Sequence, residues 1–314
     1  MKVRMLTGAL ALVAALASLM AVATTAGAKT TAAITTHYYL ALGDSLSVGY
    51  QPNSAGVGHE TDQGYANDIY AVAKKKVKNL KLVEFGCPGD TTTSMLTGKG
   101  NALAAKAFKC DRTGGSQLKA AERFLKAHSA KGEVSLITLD IGANDVDSCT
   151  ADPTVTAVEA CVLKGVATLE ANTPKILTGI KTAAPKGTPL VAMNLYDPVL
   201  ADELSTDASV ASLGTVSLSL VKSVNAAIAK ADATAGFKTA DVAAAFNTYD
   251  TNAEPTTGTA LSTSGLSTAP TDLVNICDLT YMCAPAPVGP NIHANPQGYA
   301  LIAGAFELLL PKSL

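Results

Sequence analysis

The chain has 314 residues, 24 lysines and arginines against 26 aspartates and glutamates, a net charge of −2, and 48% hydrophobic residues. With no basic patch, nucleic acid is not an expected partner; with no H-E-x-x-H, P-loop or G-x-G-x-x-G context, no metal, nucleotide or flavin is implied and no cofactor is expected. The length suits one large α/β domain with a substantial core of its own.

The chain opens with Lys2 and Arg4, an apolar run from Leu6 to Ala23, and the small residues Ala26-Gly27-Ala28. A basic start, an apolar middle and an A-x-A site describe a secretory signal peptide. Residues 1–28 are expected to be removed, with Ala23 as the alternative site, leaving 29–314 as one secreted domain. No basic stop signal follows the run and no second long apolar run is seen, so a soluble monomer without a stable membrane anchor is expected.

The stretch Tyr38–Gly49, YYLALGDSLSVG, runs from strand character into Gly43-Asp44-Ser45. A buried parallel strand reads as an apolar run, and open α/β sheets place their sites at its carboxyl end. Ser45 is therefore a candidate nucleophile, although all three residues of the tripeptide are also turn formers. Further strands are expected at Leu80–Phe85, Val134–Ile141, Leu190–Leu195 and, more weakly, Asp241–Phe246. Helices are expected between them: one capped by Asp62 and carrying Tyr65 and Ile69, one capped by Ser116 and carrying Leu118 and Leu125, and two Ala-rich ones over about 155–184 and 209–235. Asn295-Pro296 opens a last helix, since Asn caps well and Pro suits the first helical position. This alternation predicts a parallel sheet with helices on both faces. One stretch departs from it: Thr251–Pro290 is rich in Thr, Ser, Pro, Gly and Ala. It reads as a long loop forming a wall of the active site.

The six cysteines are even in number and clustered, which in an exported chain implies disulfides. Fifteen connectivities are open to six cysteines. Pairing of neighbours, Cys87–Cys110, Cys149–Cys161 and Cys277–Cys283, is the expectation, because each pair then brackets one loop. No C-x-x-C occurs and no histidine lies close by, so a metal site is not implied.

Three later stretches join Ser45. Phe85-Gly86-Cys87-Pro88-Gly89-Asp90-Thr91-Thr92 ends the second strand, where a glycine can present its N–H to a ligand. Asp140-Ile141-Gly142-Ala143-Asn144-Asp145 ends the third; Asn144 is either an oxyanion donor or an Asx turn. His293-Ala294-Asn295-Pro296 places a histidine just ahead of a capped helix. His37, His59 and His128 have no such setting and are not expected to be catalytic.

These four blocks, in this order and over nearly the whole mature chain, resemble the SGNH (GDSL) hydrolase family, in particular its secreted actinobacterial lipase/esterase branch. The resemblance implies a flavodoxin-like three-layer sandwich with about five parallel strands. It also implies a serine hydrolase of carboxylic esters with Ser45 as nucleophile, His293 as base, and Gly89, Asn144 and the Ser45 N–H as the oxyanion hole. Its substrates would be small-molecule or lipid esters. The same machinery serves phospholipases and carbohydrate deacetylases. The chain departs from the family at one place: the acid three residues before the histidine is replaced by Pro290. The backbone carbonyl of Pro290 is the expected acceptor for His293, with Asn291 and Asp278 as rivals. The missing acid leaves a non-catalytic extracellular binding protein as an alternative of another class.

Overall fold

Tyr39, Leu40, Ala41 and Leu42 are all fully buried, so the first strand is covered on both faces, as the middle of a parallel sheet must be. The computed structural model describes residues 36–151 and 154–312; the expected signal peptide, 1–28, lies outside them. In chain order the elements are β1 (His37–Gly43), the antiparallel ribbon β2 (Gln51–Pro52) and β3 (Gly58–His59), α1 (Tyr65–Ala73), β4 (Leu80–Glu84), α2 (Thr92–Thr97), α3 (Ala102–Ala107), α4 (Gln117–Ala127), β5 (Val134–Asp140), α5 (Val155–Ala183), β6 (Leu190–Met193), α6 (Ala208–Ala235), β7 (Lys238–Ala240), α7 (Val242–Ala245), the ribbon β8 (Ala253–Pro255) and β9 (Thr268–Pro270), α8 (Thr271–Leu279) and α9 (Pro296–Glu307).

Five strands form one parallel sheet in the order β4-β1-β5-β6-β7, the flavodoxin-like order with its switch point beside β1. Side chains alternate across it. Tyr39 and Ala41 enter a core shared with Tyr65 and Ile69 of α1 and with Tyr299 and Phe306 of α9. Leu40 and Leu42 enter a second core with Leu118 and Leu125 of α4 and Ile176 and Ile180 of α5. The rings of Tyr65 and Phe306 stack at 4.9 Å, tying the first helix to the last. The three-layer arrangement follows from this two-sided burial.

Two of the expected caps hold. Ser116 Oγ accepts from the Lys119 N–H at 3.2 Å, and Asn295 Oδ1 accepts from the N–H groups of Gln297 and Gly298 at 3.0 Å each. Asp62 does not cap α1; Gly64 does, with Asn67 Oδ1 accepting its N–H at 3.1 Å. The fifth strand is Lys238–Ala240 and not Asp241–Phe246, because Asp241 Oδ1 accepts from the Ala244 N–H at 3.0 Å and starts α7 instead. Residues 251–290 are not one loop. They fold as the β8–β9 ribbon and α8, which contains a buried apolar set, Leu273, Val274 and Ile276.

The disulfides are Cys87–Cys110, Cys149–Cys161 and Cys277–Cys283. Three such bonds suit an oxidising compartment. Among the described residues α6 is a second run long and apolar enough, by length and composition alone, to cross a membrane. It packs along α5, with Leu213, Val224 and Ile228 buried in the core.

Candidate active site

β1 ends in a glycine because nothing larger fits. Gly43 has φ +136°, and a Cβ there would lie 1.8 Å from the Asp140 carbonyl oxygen of the neighbouring strand, a contact no side chain tolerates. Gln117, fully buried at the start of α4, fixes this exit. Its Oε1 accepts the Gly43 N–H at 2.9 Å, and its Nε2 donates to the Gly43 carbonyl and to Asp90 Oδ2, both at 2.8 Å. Asp90 is in turn held by Ser94 Oγ at 2.8 Å, Asn101 Nδ2 at 2.9 Å and the Arg112 guanidinium. The ends of β1 and β4 are thus bound into one rigid polar knot.

Ser45 leaves that knot 8% exposed, at the mouth of a crevice that Asn144 and His293 also line. Ser45 Oγ lies 2.9 Å from His293 Nε2, within reach for direct proton transfer. His293 Nδ1 lies 2.8 Å from Asn291 Oδ1, and the same oxygen accepts the His293 backbone N–H at 3.0 Å. An amide oxygen only accepts, so Nδ1 carries the proton and Nε2 is the free base facing the serine. This corrects the expectation for Pro290. The acceptor is the Asn291 side chain, because a two-residue Asx-type turn folds it under the ring. Asp278 is turned elsewhere: its carbonyl accepts from Asn295 Nδ2 at 2.7 Å and its carboxylate accepts the Ala260 N–H.

Segment 251–290 supports the histidine from behind and lines no part of the crevice. The Tyr281 N–H donates to the His293 carbonyl and the Asn291 N–H to the Tyr281 carbonyl, each at 3.1 Å. The Cys277–Cys283 bond brackets this tyrosine. Tyr50 lies against the imidazole with centroids 4.6 Å apart, and Tyr196 Oη donates to the Ile292 carbonyl at 2.8 Å. Burial pushes the His293 imidazole down from 6.5 to about 4, since the charged form loses its water.

Asn144 Nδ2 donates to the Asp90 carbonyl at 3.1 Å and to Asp44 Oδ2 at 3.3 Å. Asp44, 2% exposed, is raised by burial to about 6, and burial likewise raises its neighbour Asp140, which accepts from the Tyr65 hydroxyl. As the proposed oxyanion donor, Asn144 would turn Nδ2 from one of these acceptors to the substrate oxygen. Asn144→Ala is therefore expected to lower kcat by about two to three orders of magnitude with little change in KM. A pure KM effect in steady-state kinetics would make Asn144 a binding or structural residue. Gly89, at φ +78° in the turn before α2, is not among the crevice residues, but it adjoins Asp90, whose carbonyl meets Asn144.

Beyond the mouth the crevice runs between α5 and α6. Val158 and Val162 form one wall and Leu213, Leu220, Val221 and Val224 the other. Thr251–Pro290, expected as a wall of the site, contributes no crevice residue among those described, and neither does Gln51–Gln63, whereas the loop bracketed by Cys149 and Cys161 contributes Thr150 and Val158. Sequence reading missed Gln117, Tyr50 and Tyr196. No local signal marks the first, and the rings are indistinguishable by pattern from core aromatics. Among the described residues no group of three or more His, Cys, Asp or Glu side chains is placed to hold a metal ion.

The GDSL-like Lipase/Acylhydrolase family model matches residues 39–306. No curated protein matches the sequence significantly. Three solved structures share the fold. An extracellular lipase from Streptomyces rimosus has a TM-score of 0.53 at 19% identity, covering 87% of this chain and 100% of that one. A phospholipase A1 from Streptomyces albidoflavus NA297 has 0.51 at 18%, covering 87% and 99%. The lipase Lip_vut3 from a goat rumen metagenome has 0.51 at 15%, covering 89% and 100%. The family match spans the sheet from β1 to α9 and takes in the Ser45, Asn144 and His293 blocks alike, so the chain belongs to the GDSL-like lipase/acylhydrolase family and is an ester hydrolase.

Proposed function

We propose that this enzyme is exported and cleaves carboxylic esters of aliphatic acids through an acyl-enzyme on Ser45. The observation that carries the mechanism is the relay Ser45 Oγ–His293 Nε2–Asn291 Oδ1, with steps of 2.9 and 2.8 Å. A serine hydroxyl becomes a competent nucleophile when an imidazole takes its proton. Oγ attacks the ester carbonyl carbon as Nε2 accepts that proton, and the carbonyl electrons move onto oxygen. The Ser45 N–H and the Asn144 amide, both on the crevice, stabilise the oxyanion. As the tetrahedral intermediate collapses, the C–O bond breaks and the imidazolium gives its proton to the leaving alkoxide. Water, activated by the same nitrogen, then frees the acid.

The aliphatic walls between α5 and α6 support an alkyl acyl group over an acetyl one, because each buried methylene contributes roughly 0.8 kcal/mol. This favours a lipase or esterase, phospholipids included, over a carbohydrate deacetylase. The formed Ser45–His293 contact weighs against a non-catalytic binding module. Export is supported by the leader-like residues 1–28 and by the three disulfides.

A fluorophosphonate probe tests the mechanism. Labelling should fall on Ser45, at a rate that depends on neutral His293. Because the imidazole is shifted down to about 4, it stays neutral above that pH. The labelling rate should therefore be nearly flat from pH 8 to about 5 and fall as pH drops through about 4. Labelling elsewhere, or a limb near the ordinary histidine value, would contradict this account.

A further inference from the structure

The crevice contains carboxyl groups that its aliphatic walls do not explain, Asp147 and Asp197 among them. Asp197 lies shortly after β6, beyond Tyr196, lines the crevice, and is only 2% exposed. Its Oδ2 has no hydrogen-bond partner. A buried carboxylate oxygen without a donor costs well over a kilocalorie per mole, and no lysine or arginine lines the crevice to offset it. Ser217 on α6, which also lines the crevice, donates its own hydroxyl proton to the Gly214 carbonyl at 2.7 Å. Burial raises the Asp197 carboxyl to about 6. Ionised, the group would be a buried anion with one oxygen in want of a donor.

We propose that Asp197 makes this crevice selective for acyl chains that carry a hydroxyl group, which donates to the Asp197 carboxylate when the ester carbonyl lies at Ser45. The proposal rests on the reading of the crevice as the acyl site. An O–H···O⁻ bond is short and strong, and a hydroxyl loses little hydration on entry. An ammonium group would meet the same carboxylate but would lose far more hydration among valines and leucines. Tyr196, the residue before Asp197, donates to the carbonyl next to His293, so the anchor lies near the start of the crevice. The preferred hydroxyl should therefore sit at an inner carbon of the chain.

The test compares kcat/KM of the full protein for p-nitrophenyl octanoate, for isomers with the hydroxyl moved from inner carbons to the chain end, and for an amino-octanoate. One inner hydroxy isomer should exceed the plain ester by roughly tenfold or more, the effect of one charge-assisted hydrogen bond. Asp197→Leu should bring that ratio below one while plain octanoate is still cleaved. Asp197→Asn, nearly isosteric, should reduce the ratio in between and serves if the leucine variant does not fold. Asp147→Asn, a half-buried carboxyl on the same crevice, should leave the ratio unchanged. The proposal is overturned if the plain ester is preferred over every isomer, if the ratio survives both Asp197 variants, if Asp147→Asn abolishes it equally, or if the ammonium chain wins. Failure to cleave plain octanoate at all would overturn the acyl-site reading and this proposal with it.

Discussion

Ser45→Ala should reduce ester hydrolysis by about five to six orders of magnitude, the loss seen when a triad nucleophile is removed. The protein should remain folded. Ser45 Oγ contacts the His293 ring and, at 3.5 Å, the Asp44 carboxylate, while the turn it occupies is held by other atoms: the Asp44 N–H on Asp140, the Leu46 N–H on Asp44 and the Ser47 hydroxyl on the Asp44 carbonyl. Loss of the hydroxyl leaves that turn intact. Steady-state rates on a p-nitrophenyl ester, with circular dichroism and the melting temperature as controls, decide the matter. Residual activity above about one thousandth of wild type in a folded variant would remove the serine mechanism.

Removing the imidazole with His293→Ala should cost about as much as removing the serine, because nucleophile and base act as one unit. The informative variants are at position 291. Asn291→Ala removes the acceptor for Nδ1–H, so the ring loses its fixed tautomer and orientation; kcat should fall by about two orders of magnitude or more. Asn291→Asp should retain activity at neutral pH. It should also move the acid limb upward by about one to three units, since an adjacent carboxylate stabilises the imidazolium and raises the histidine pKa. Below that higher limb the variant should therefore be slower than wild type. An unchanged kcat in Asn291→Ala would return the role to the Pro290 carbonyl. Asp278→Ala should leave kcat within a few-fold, because its carboxylate holds the Ala260 N–H.

The order of strands and helices was legible because both codes are local. Tyr39–Leu42, Leu136–Leu139 and Val191–Met193 are runs buried on both faces and apolar but for Thr138, and Ser116 and Asn295 announce helix starts through side chains that reach only a few residues. Ser45, Asn144 and His293 were legible for a related reason. A parallel sheet brings the carboxyl ends of its strands to one edge, so residues just past those ends meet whatever their separation in sequence. Asp62 and Asp241–Phe246 were misread because a cap and a short strand are each set by one hydrogen bond, and the competing partners, Gly64 with Asn67 and Asp241 with Ala244, are equally local.

Only the tertiary structure decided what surrounds these residues. That Asn291 and not the Pro290 carbonyl meets His293 depends on which way a two-residue turn folds, and that turn is pinned by Tyr281, brought in by a helix and a disulfide. The crevice wall came from α5 and α6, whose apolar faces look the same in sequence whether they cover a sheet or line a cavity. Gln117 clamping Gly43 across 74 positions, and Asp197 buried with one oxygen unpaired, follow from packing between distant segments. No local pattern encodes them, because the partner, or the lack of one, exists only once the chain has folded.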